Sequence, residues 1–342
     1  MKKSLLALAL LGAFAGVAQA DTAVQIYGTV DAGMLKTTDK TLAIGKRANN
    51  TLGFKGTEDI GGGLKALFQL EIRYEPDTGT IESVTRPLFQ GQSRVGLQGD
   101  FGMVRIGRGL TAYMESLDMV DPWHGLPTIT GFKTDLMVAG GYSSDPLSAA
   151  GNSANRFSNA IFYNSPDING FQINTTIGTK EANGGAAVVG RGTAALPQYI
   201  AGAEATANPY SVSATYKNGG AGLIIATERN AIETKLWDIG GYVMASPEMK
   251  LMANYSRQDQ DHTKAINAKT KAWVVGANYT MGAGKILAGY GQKSPDGVIK
   301  TKELSLGYEY SLSKRTYLYV DASNKKAATS INSFDVGINH AF

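Results

Sequence analysis

Cysteine is absent from the 342 residues of this sequence. Its absence excludes a disulfide framework, a thiolate zinc site and a cysteine nucleophile. Histidine is scarce, and His124, His262 and His340 are far apart in the chain. No H-E-x-x-H spacing, G-x-S-x-G elbow or phosphate-binding loop occurs. The sequence therefore predicts no catalytic residues, no metal site and no cofactor.

A large charge excess is also missing, because 33 basic residues face 29 acidic ones for a net charge of +4. A general nucleic-acid binder carries a concentrated basic excess, so nucleic acid is not an expected partner. Beyond the N-terminus the sequence contains no apolar run of the roughly 20 residues that a membrane-spanning helix needs.

The first twenty residues have the composition of a secretory signal. Lys2 and Lys3 precede an apolar stretch that ends in Ala18-Gln19-Ala20, an A-x-A cleavage site. We therefore expect a signal peptide at residues 1–20 and a mature chain at 21–342. A secreted chain with neither a spanning helix nor a cysteine for lipid attachment is expected to be soluble or a membrane barrel.

Side-chain polarity alternates with period two through much of the chain, which indicates β-strands with one apolar and one polar face. In residues 65–75 the even positions are apolar or aromatic and the odd positions are mostly polar. The same alternation recurs at residues 303–310 and 334–342. Segments of about ten residues with aromatic side chains near their ends are typical of strands that cross a bilayer.

Short turns and long polar segments alternate along the chain. Gly, Pro, Asn and Asp mark short turns near residues 59–63, 99–102, 165–170, 217–220, 246–248, 282–284 and 311–314. Longer polar stretches lie near 37–50, 76–91, 110–155, 181–207, 229–234, 260–269, 293–300 and 323–332. Seven short turns and eight long loops connect sixteen strands, the pattern of a bacterial outer-membrane barrel.

Three segments and the C-terminus carry a family likeness. They are residues 23–31 (AVQIYGTVD), 52–66 (LGFKGTEDIGGGLKA), 93–108 (SRVGLQG and GMVRIGR around a turn) and the final His340-Ala341-Phe342. They resemble the general porins of Gram-negative bacteria, most closely the neisserial and other β-proteobacterial porins. The resemblance extends over essentially the whole mature chain.

The resemblance implies an all-β fold: a sixteen-stranded antiparallel transmembrane β-barrel whose third outer loop folds inward and narrows the lumen. The matching loop is residues 110–155, the longest of the eight. Trp123, Leu126, Ile129, Phe132 and Leu136 give it apolar surface to bury. The resemblance also implies a homotrimer among outer-membrane lipid and lipopolysaccharide, and recognition by the barrel-assembly machinery through Phe342.

A channel selects solutes by its narrowest cross-section and by the charges that line it. Alternation predicts a lumen-facing set on the early strands: Lys55, Lys65, Glu71, Arg73, Arg94 and Arg105. Arg156 is assigned to the same face, because Phe157, Ile161 and Tyr163 are expected to face lipid. The family pairs such basic residues with loop acids, for which Glu115, Asp118 and Asp121 are the candidates.

Two arginines depart from this arrangement. The arginine that the family often has just before Leu-Gly-Phe is replaced by Thr51, and Arg47 is the nearest candidate substitute. Arg108 has the parity of the apolar face, so we expect it to end its strand or to reach into the loop.

The sequence thus predicts a general diffusion porin, weakly anion-favouring, that passes small hydrophilic solutes and ions. The main alternative is a substrate-specific channel for organic acids or sugars on the same barrel. An outer-membrane hydrolase using His124 or His262 and a soluble secreted β-sandwich adhesin are the other classes considered.

Overall fold

The structure is a computed structural model. It describes residues 23–83, 86–133, 135–138, 142–145, 154–179, 186–193, 196–201, 208–231, 233–259 and 269–342. The expected signal peptide at 1–20 and parts of the 110–155 loop lie outside these ranges. Among the described residues, no helix is both long and apolar enough to cross a bilayer.

Nineteen β-strands account for most of the described chain. They are β1 (Ala23–Thr37), β2 (Ala43–Gly45), β3 (Asn50–Gly61), β4 (Leu64–Tyr74), β5 (Gln92–Gly99), β6 (Gly102–Leu110), β7 (Arg156–Asn164), β8 (Phe171–Gly178), β9 (Ala186–Thr193), β10 (Leu196–Ala201), β11 (Tyr210–Asn218), β12 (Ala221–Arg229), β13 (Lys235–Met244), β14 (Met249–Asp259), β15 (Lys269–Met281), β16 (Gly284–Pro295), β17 (Thr301–Ser311), β18 (Thr316–Lys326) and β19 (Ser330–Ala341).

Sixteen of these strands close into one antiparallel barrel. Each pairs with its neighbours along the chain, β8 pairs with β11 across the fourth long loop, and β19 pairs back onto β1. The short β2 is an added partner of β1, and β9 and β10 form a separate hairpin. The predicted sixteen-stranded antiparallel barrel is confirmed. A closed barrel pairs every strand edge, which the bilayer requires because it offers no water to unpaired backbone groups.

Successive side chains of the barrel strands are alternately exposed and buried, with the same period of two as the polarity in the sequence. In β12, Leu223 and Ile225 are 58% and 62% exposed, whereas the intervening Ile224 is fully buried. In β17, Leu304 and Leu306 are exposed while Glu303 is buried. An apolar face turned outward and a polar face turned inward are what a lipid-embedded barrel needs.

The barrel closes at β1, whose two halves have different partners. Residues 23–29 pair with β3, and residues 29–37 pair with β19. The terminal Phe342 exchanges two backbone hydrogen bonds with Gly28, of 3.0 and 3.2 Å. A Cβ on Gly28 would overlap the Phe342 ring, so glycine makes room for this aromatic contact at the seam.

One end of the barrel carries tight turns. Gly62 (φ 61°) and the pair Asn169 and Gly170 (φ 53° and 89°) adopt the left-handed backbone that such turns use. The seven predicted short turns all lie between consecutive barrel strands. The last of the predicted long loops is shorter than expected, because β18 and β19 extend to leave only residues 327–329 between them.

The third long loop begins with two short helical turns, α1 (Ala112–Ser116) and a 3₁₀ turn (Leu117–Val120). Thr111 caps α1 by accepting from the Met114 N–H. Below, "the third-loop segment" means residues 111–133 and 135–138. Its apolar side chains form one buried cluster with wall residues of β12, β13, β15 and β16: Ile224, Ala226, Leu236, Ala272, Val274 and Leu287.

Strand β7 contradicts one expectation. Phe157 was assigned to the lipid face, yet it is 1% exposed and packs with Ala160 and Phe162, whereas Ile161 is 50% exposed. The register of β6 against β7 shifts between Gly107 and Gly109, and Asn159 has φ 47°. A β-bulge adds a residue to one strand, so the even and odd positions exchange faces of the sheet from one side of the bulge to the other.

Candidate functional site: the charged channel wall and the third loop

Glu115 of α1 joins two arginines of the barrel wall. Its carboxylate oxygens lie 3.0 Å from Arg94 Nη1 and 3.4 Å from Arg105 Nη2. Arg105 also donates to Asn164 at 2.5 Å. Both arginine side chains are 7% exposed, against 23% for Glu115. The arrangement sets a loop carboxylate against a pair of wall cations.

The wall network continues onto neighbouring strands. Arg94 Nε donates to Gln69 at 3.0 Å, and Gln69 donates to the Tyr27 hydroxyl at 2.8 Å. Tyr27 in turn donates to Glu71 at 3.2 Å. Glu71 lies 3.6 Å from Arg73 Nε. Polar side chains on β1, β4 and β5 therefore share one face, which fixes the direction in which each arginine extends.

A cavity of about 350 Å³ lies between the third-loop segment and this wall. The wall contributes Thr51, Arg73 and Arg156, and the loop contributes Asp118 and Lys133. Asp118 also borders a second cavity of about 390 Å³, which Glu115 and Lys217 line as well. Asp118 thus stands between two open volumes, with its carboxylate 2.6 Å from Lys133 Nζ.

Arg156 lies at the edge of the first cavity and is largely enclosed. Its Nε donates to the Gly91 carbonyl at 2.6 Å, and its Nη1 donates to Asn155 at 2.6 Å. No carboxylate of a described residue lies within ion-pair distance of Arg156. A guanidinium held by neutral acceptors keeps a positive charge that no partner neutralises.

Asp121 does not have the position predicted for it. It is fully buried and accepts the backbone N–H groups of Trp123 (3.0 Å) and Gly125 (2.9 Å). Burial raises its pKa to about 6, although those two hydrogen bonds act in the opposite direction. Asp121 therefore fixes the turn of the loop and does not line the cavities.

Arg47 does not replace the missing arginine at position 51. Its side chain is fully buried, 2.8 Å from Glu309 and 2.7 Å from Asp321. Its guanidinium carbon also lies 4.8 Å from the centroid of the Tyr319 ring. Burial lowers the pKa of Arg47, but the two carboxylates more than offset this and raise it. Two acids neutralise this cation, and Thr51 lines the cavity without a charge.

The remaining predicted cations take two different positions. Lys55 and Lys65 are exposed, and neither forms an ion pair with a described residue. Lys55 Nζ lies 5.0 Å from the centroid of the Tyr27 ring. Arg108 is buried and donates to the Gln90 carbonyl at 3.0 Å and to Ser158 at 2.6 Å.

Sequence reasoning missed several charges that the fold brings to the loop. Asp135 is paired with Lys293 and with Lys325, the latter at 3.2 Å. Burial alone would raise the pKa of Asp135, but the two lysines lower it. Extending the parity analysis to β16 and β18 would have found both lysines. Lys133 carries no such signal, because its pairing depends on the loop conformation.

His124 is the only histidine near the two cavities among the described residues. It has φ 55° and borders the first cavity, and its Nε2 lies 3.3 Å from Lys285 Nζ. Enclosure by protein around the rest of the ring and the positive charge of Lys285 lower its pKa to about 4. Among the described residues no group of three or more His, Cys, Asp or Glu could hold a metal ion.

Comparisons with known proteins give one consistent result. Residues 7–329 match the profile of the Gram-negative porin family. Outer membrane porin protein 32 of Delftia acidovorans is 31% identical over the full length of both chains. An outer membrane porin protein of Bordetella pertussis is 27% identical, again over the full length of both.

Solved structures agree on the fold. An anion-selective porin from Comamonas acidovorans superposes with a TM-score of 0.76 at 23% identity, covering 94% of this chain and all of the other. OmpT of Vibrio cholerae in its trimer form gives 0.70 at 14% identity, covering 94% and 99%. Given the family match over 7–329 and the closed sixteen-stranded barrel, this chain belongs to the Gram-negative porins, channels of the outer membrane.

Proposed function

We propose that this porin is a general diffusion channel with a weak preference for anions and no catalytic activity. Charge along the two cavities carries the proposal. Six cations border the cavities or pair with Glu115, against three carboxylates, those of Glu115, of Asp118 and of Glu71, which lies 3.6 Å from Arg73. The cations are Arg73, Arg94, Arg105, Lys133, Arg156 and Lys217. Wall charges act on every permeating ion, so the excess favours small anions.

We also infer that the third-loop segment lies inside the barrel and sets its cutoff. Tyr113 contacts Asp238 of β13 at 3.1 Å, Asn278 of β15 donates to the Pro122 carbonyl at 2.9 Å, and Thr128 donates to Asp335 of β19 at 3.0 Å. These partners are on the face opposite to the exposed apolar one. The inner faces of β13, β15 and β19 are separated around the barrel wall. One segment can contact all three only if it crosses the interior of the barrel.

The proposal extends to the context of the channel. A signal peptide at 1–20 would direct secretion, and recognition of the terminal Phe342 would deliver the chain to the barrel-assembly machinery. Outer-membrane lipid and lipopolysaccharide would surround the apolar outer face. A homotrimer is supported by the shared fold with OmpT, an outer membrane protein of Vibrio cholerae that is described in trimer form.

Reversal potential in a planar bilayer under a potassium chloride gradient tests the selectivity. We expect stepwise conductance and a potential that favours chloride, and a smaller chloride preference in Arg73→Gln. Lys314→Gln, in an exposed short turn, is the charge-matched control and should behave as the wild type. A potential that favours potassium would overturn the role of the arginines and point to Glu71 and the loop acids. Absence of conductance steps from folded trimer would refute the open channel.

Saturation measurements separate general diffusion from a substrate-specific channel. A general channel passes sugars and organic acids in proportion to their concentration. Conductance that one organic acid or sugar saturates at low concentration would instead support the substrate-specific alternative.

A further inference from the structure

Glycines of the barrel wall lie directly opposite the third-loop segment. Gly276 of β15 faces Pro122, and Gly289 of β16 faces Phe132 and Trp123. At these positions the wall offers no side chain, so the loop lies directly on the backbone of the sheet. A β-strand glycine is intrinsically unfavourable and often marks the close approach of another backbone.

The contact at Gly276 is rigid on both sides. A Cβ built on Gly276 would overlap Pro122 Cγ, well inside van der Waals contact. The pyrrolidine ring cannot rotate away, because it is fused to the backbone. Asn278, two residues along the same face, donates to the Pro122 carbonyl at 2.9 Å. Only a movement of the loop backbone itself would relieve such an overlap.

The contact at Gly289 involves two packed aromatic rings. A Cβ there would overlap Phe132 Cε2 and approach Trp123 Cζ3 to 3.3 Å. Trp123 and Phe132 are both fully buried, and their ring centroids are 5.6 Å apart in an edge-to-face pair. Dense packing leaves these rings no free volume into which to retreat.

We propose that Gly276 and Gly289 set the cross-section of the channel by fixing how closely the loop approaches the wall of β15 and β16. The first cavity lies on the other side of the loop, bordered by Thr51, Arg73 and Arg156. Any side chain added beneath the loop displaces it toward these residues and narrows the opening. The two glycines are positioning residues, and the inference rests on the proposed role of the loop as the constriction.

Single-channel conductance of Gly276→Ala in planar bilayers tests the inference. We expect the conductance to fall to roughly half the wild-type value, because a loop displaced toward the opposite wall reduces the cross-section through which ions pass. Exclusion of sugars in liposome swelling should move to smaller solutes. Gly289→Ala should act in the same direction, and Phe132→Leu in the same chain should restore part of the conductance by removing the overlapped ring atoms.

Gly220→Ala is the matched control, since a Cβ there meets only Met244 at 3.4 Å or more. It should conduct as the wild type does. Heat-resistant migration of each variant in detergent gels confirms that the barrel has formed. Wild-type conductance and cutoff in folded Gly276→Ala and Gly289→Ala would overturn the inference, whereas a wild-type protein that does not conduct would refute the proposed function instead.

Discussion

Glu115 shows how one residue balances the charge of the channel wall. Its carboxylate is shared by Arg94 and Arg105, so neither arginine presents its full charge to passing ions. Asp118 is likewise paired, with Lys133. Arg73 lies 3.6 Å from Glu71. The unpaired positive charge therefore comes from Arg156 together with exposed lysines. Under the proposed function, selectivity depends on which ion pairs the loop completes.

Replacing Glu115 by Gln should strengthen the anion preference. The amide keeps an acceptor for one arginine but removes the negative charge, so two cations become available to chloride. We expect the chloride-to-potassium permeability ratio, obtained from the reversal potential, to rise roughly twofold. Glu248→Gln, in an exposed turn, is the control. A ratio that is unchanged or lower in Glu115→Gln would contradict this assignment.

His124 should not contribute to selectivity near neutral pH. Because its folded pKa of about 4 lies below the ordinary value of 6.5, the ring stays neutral above pH 5. Between pH 6.5 and 4 the imidazole binds a proton in the unfolded chain but not in the folded one. The contribution of the neutral ring to the free energy of unfolding is therefore lost as pH falls through this range. We expect His124→Gln to follow the wild-type reversal potential between pH 5 and 8. A chloride preference that rises at pH 5.5 only when His124 is present would disprove the neutral ring.

At the scale of elements, the first long loop is tied to the far strands by charge. Arg47 follows β2 in the chain and reaches Glu309 of β17 and Asp321 of β18, with Tyr319 beside it. All three partners are on the inner face of their strands. The part of the loop around Arg47 is thereby held against the wall, whereas residues 39–44 are exposed.

Arg47→Met should destabilise the barrel markedly. Removing one partner of a buried ion pair leaves uncompensated charge and costs about 3–5 kcal/mol. We expect the midpoint of denaturant unfolding in detergent to fall accordingly, with a smaller loss in Arg47→Lys, which keeps the charge. Equal midpoints for Arg47→Met and the wild type would contradict the stabilising role of Arg47.

Predictability differed between the elements. Strand faces followed from alternation wherever pairing is regular, as in β12 and β17. Phe157 was placed on the wrong face because parity carries no information across the bulge between β6 and β7. Asp121 was assigned to the channel because composition alone does not distinguish a carboxylate that faces water from one that binds backbone N–H groups.

At the scale of the whole molecule, the last residue extends the β1–β19 pairing that closes the barrel. Phe342 bonds to Gly28 of β1 and packs its ring where that glycine lacks a side chain. If β1 and β19 paired only in part, backbone N–H and C=O groups at the open edges would face lipid without hydrogen-bond partners.

Deletion of Phe342 should lower the amount of folded barrel in the outer membrane. Both the seam contact and the proposed recognition signal are lost, so heat-resistant protein in membrane fractions is expected to fall severalfold. Replacement of Phe342 by Tyr keeps an aromatic ring and should retain most of it. Refolding of the shortened chain into detergent separates the two causes. If it refolds normally, the loss in the membrane is due to recognition and not to the seam contact. Wild-type amounts of folded protein in the membrane would contradict both roles of Phe342.

The sequence by itself determined the barrel, its sixteen strands, its two kinds of connection and the outward apolar face, because these follow from local periodicity and turn chemistry. Tertiary structure alone decided which charges line the channel. Composition counts every charged residue equally, but the fold treats them differently. Arg47 is neutralised by buried acids, Asp121 accepts backbone N–H groups, and Arg73 borders a cavity. The field in a channel depends on distances between groups far apart in sequence, and only the folded loop sets those distances.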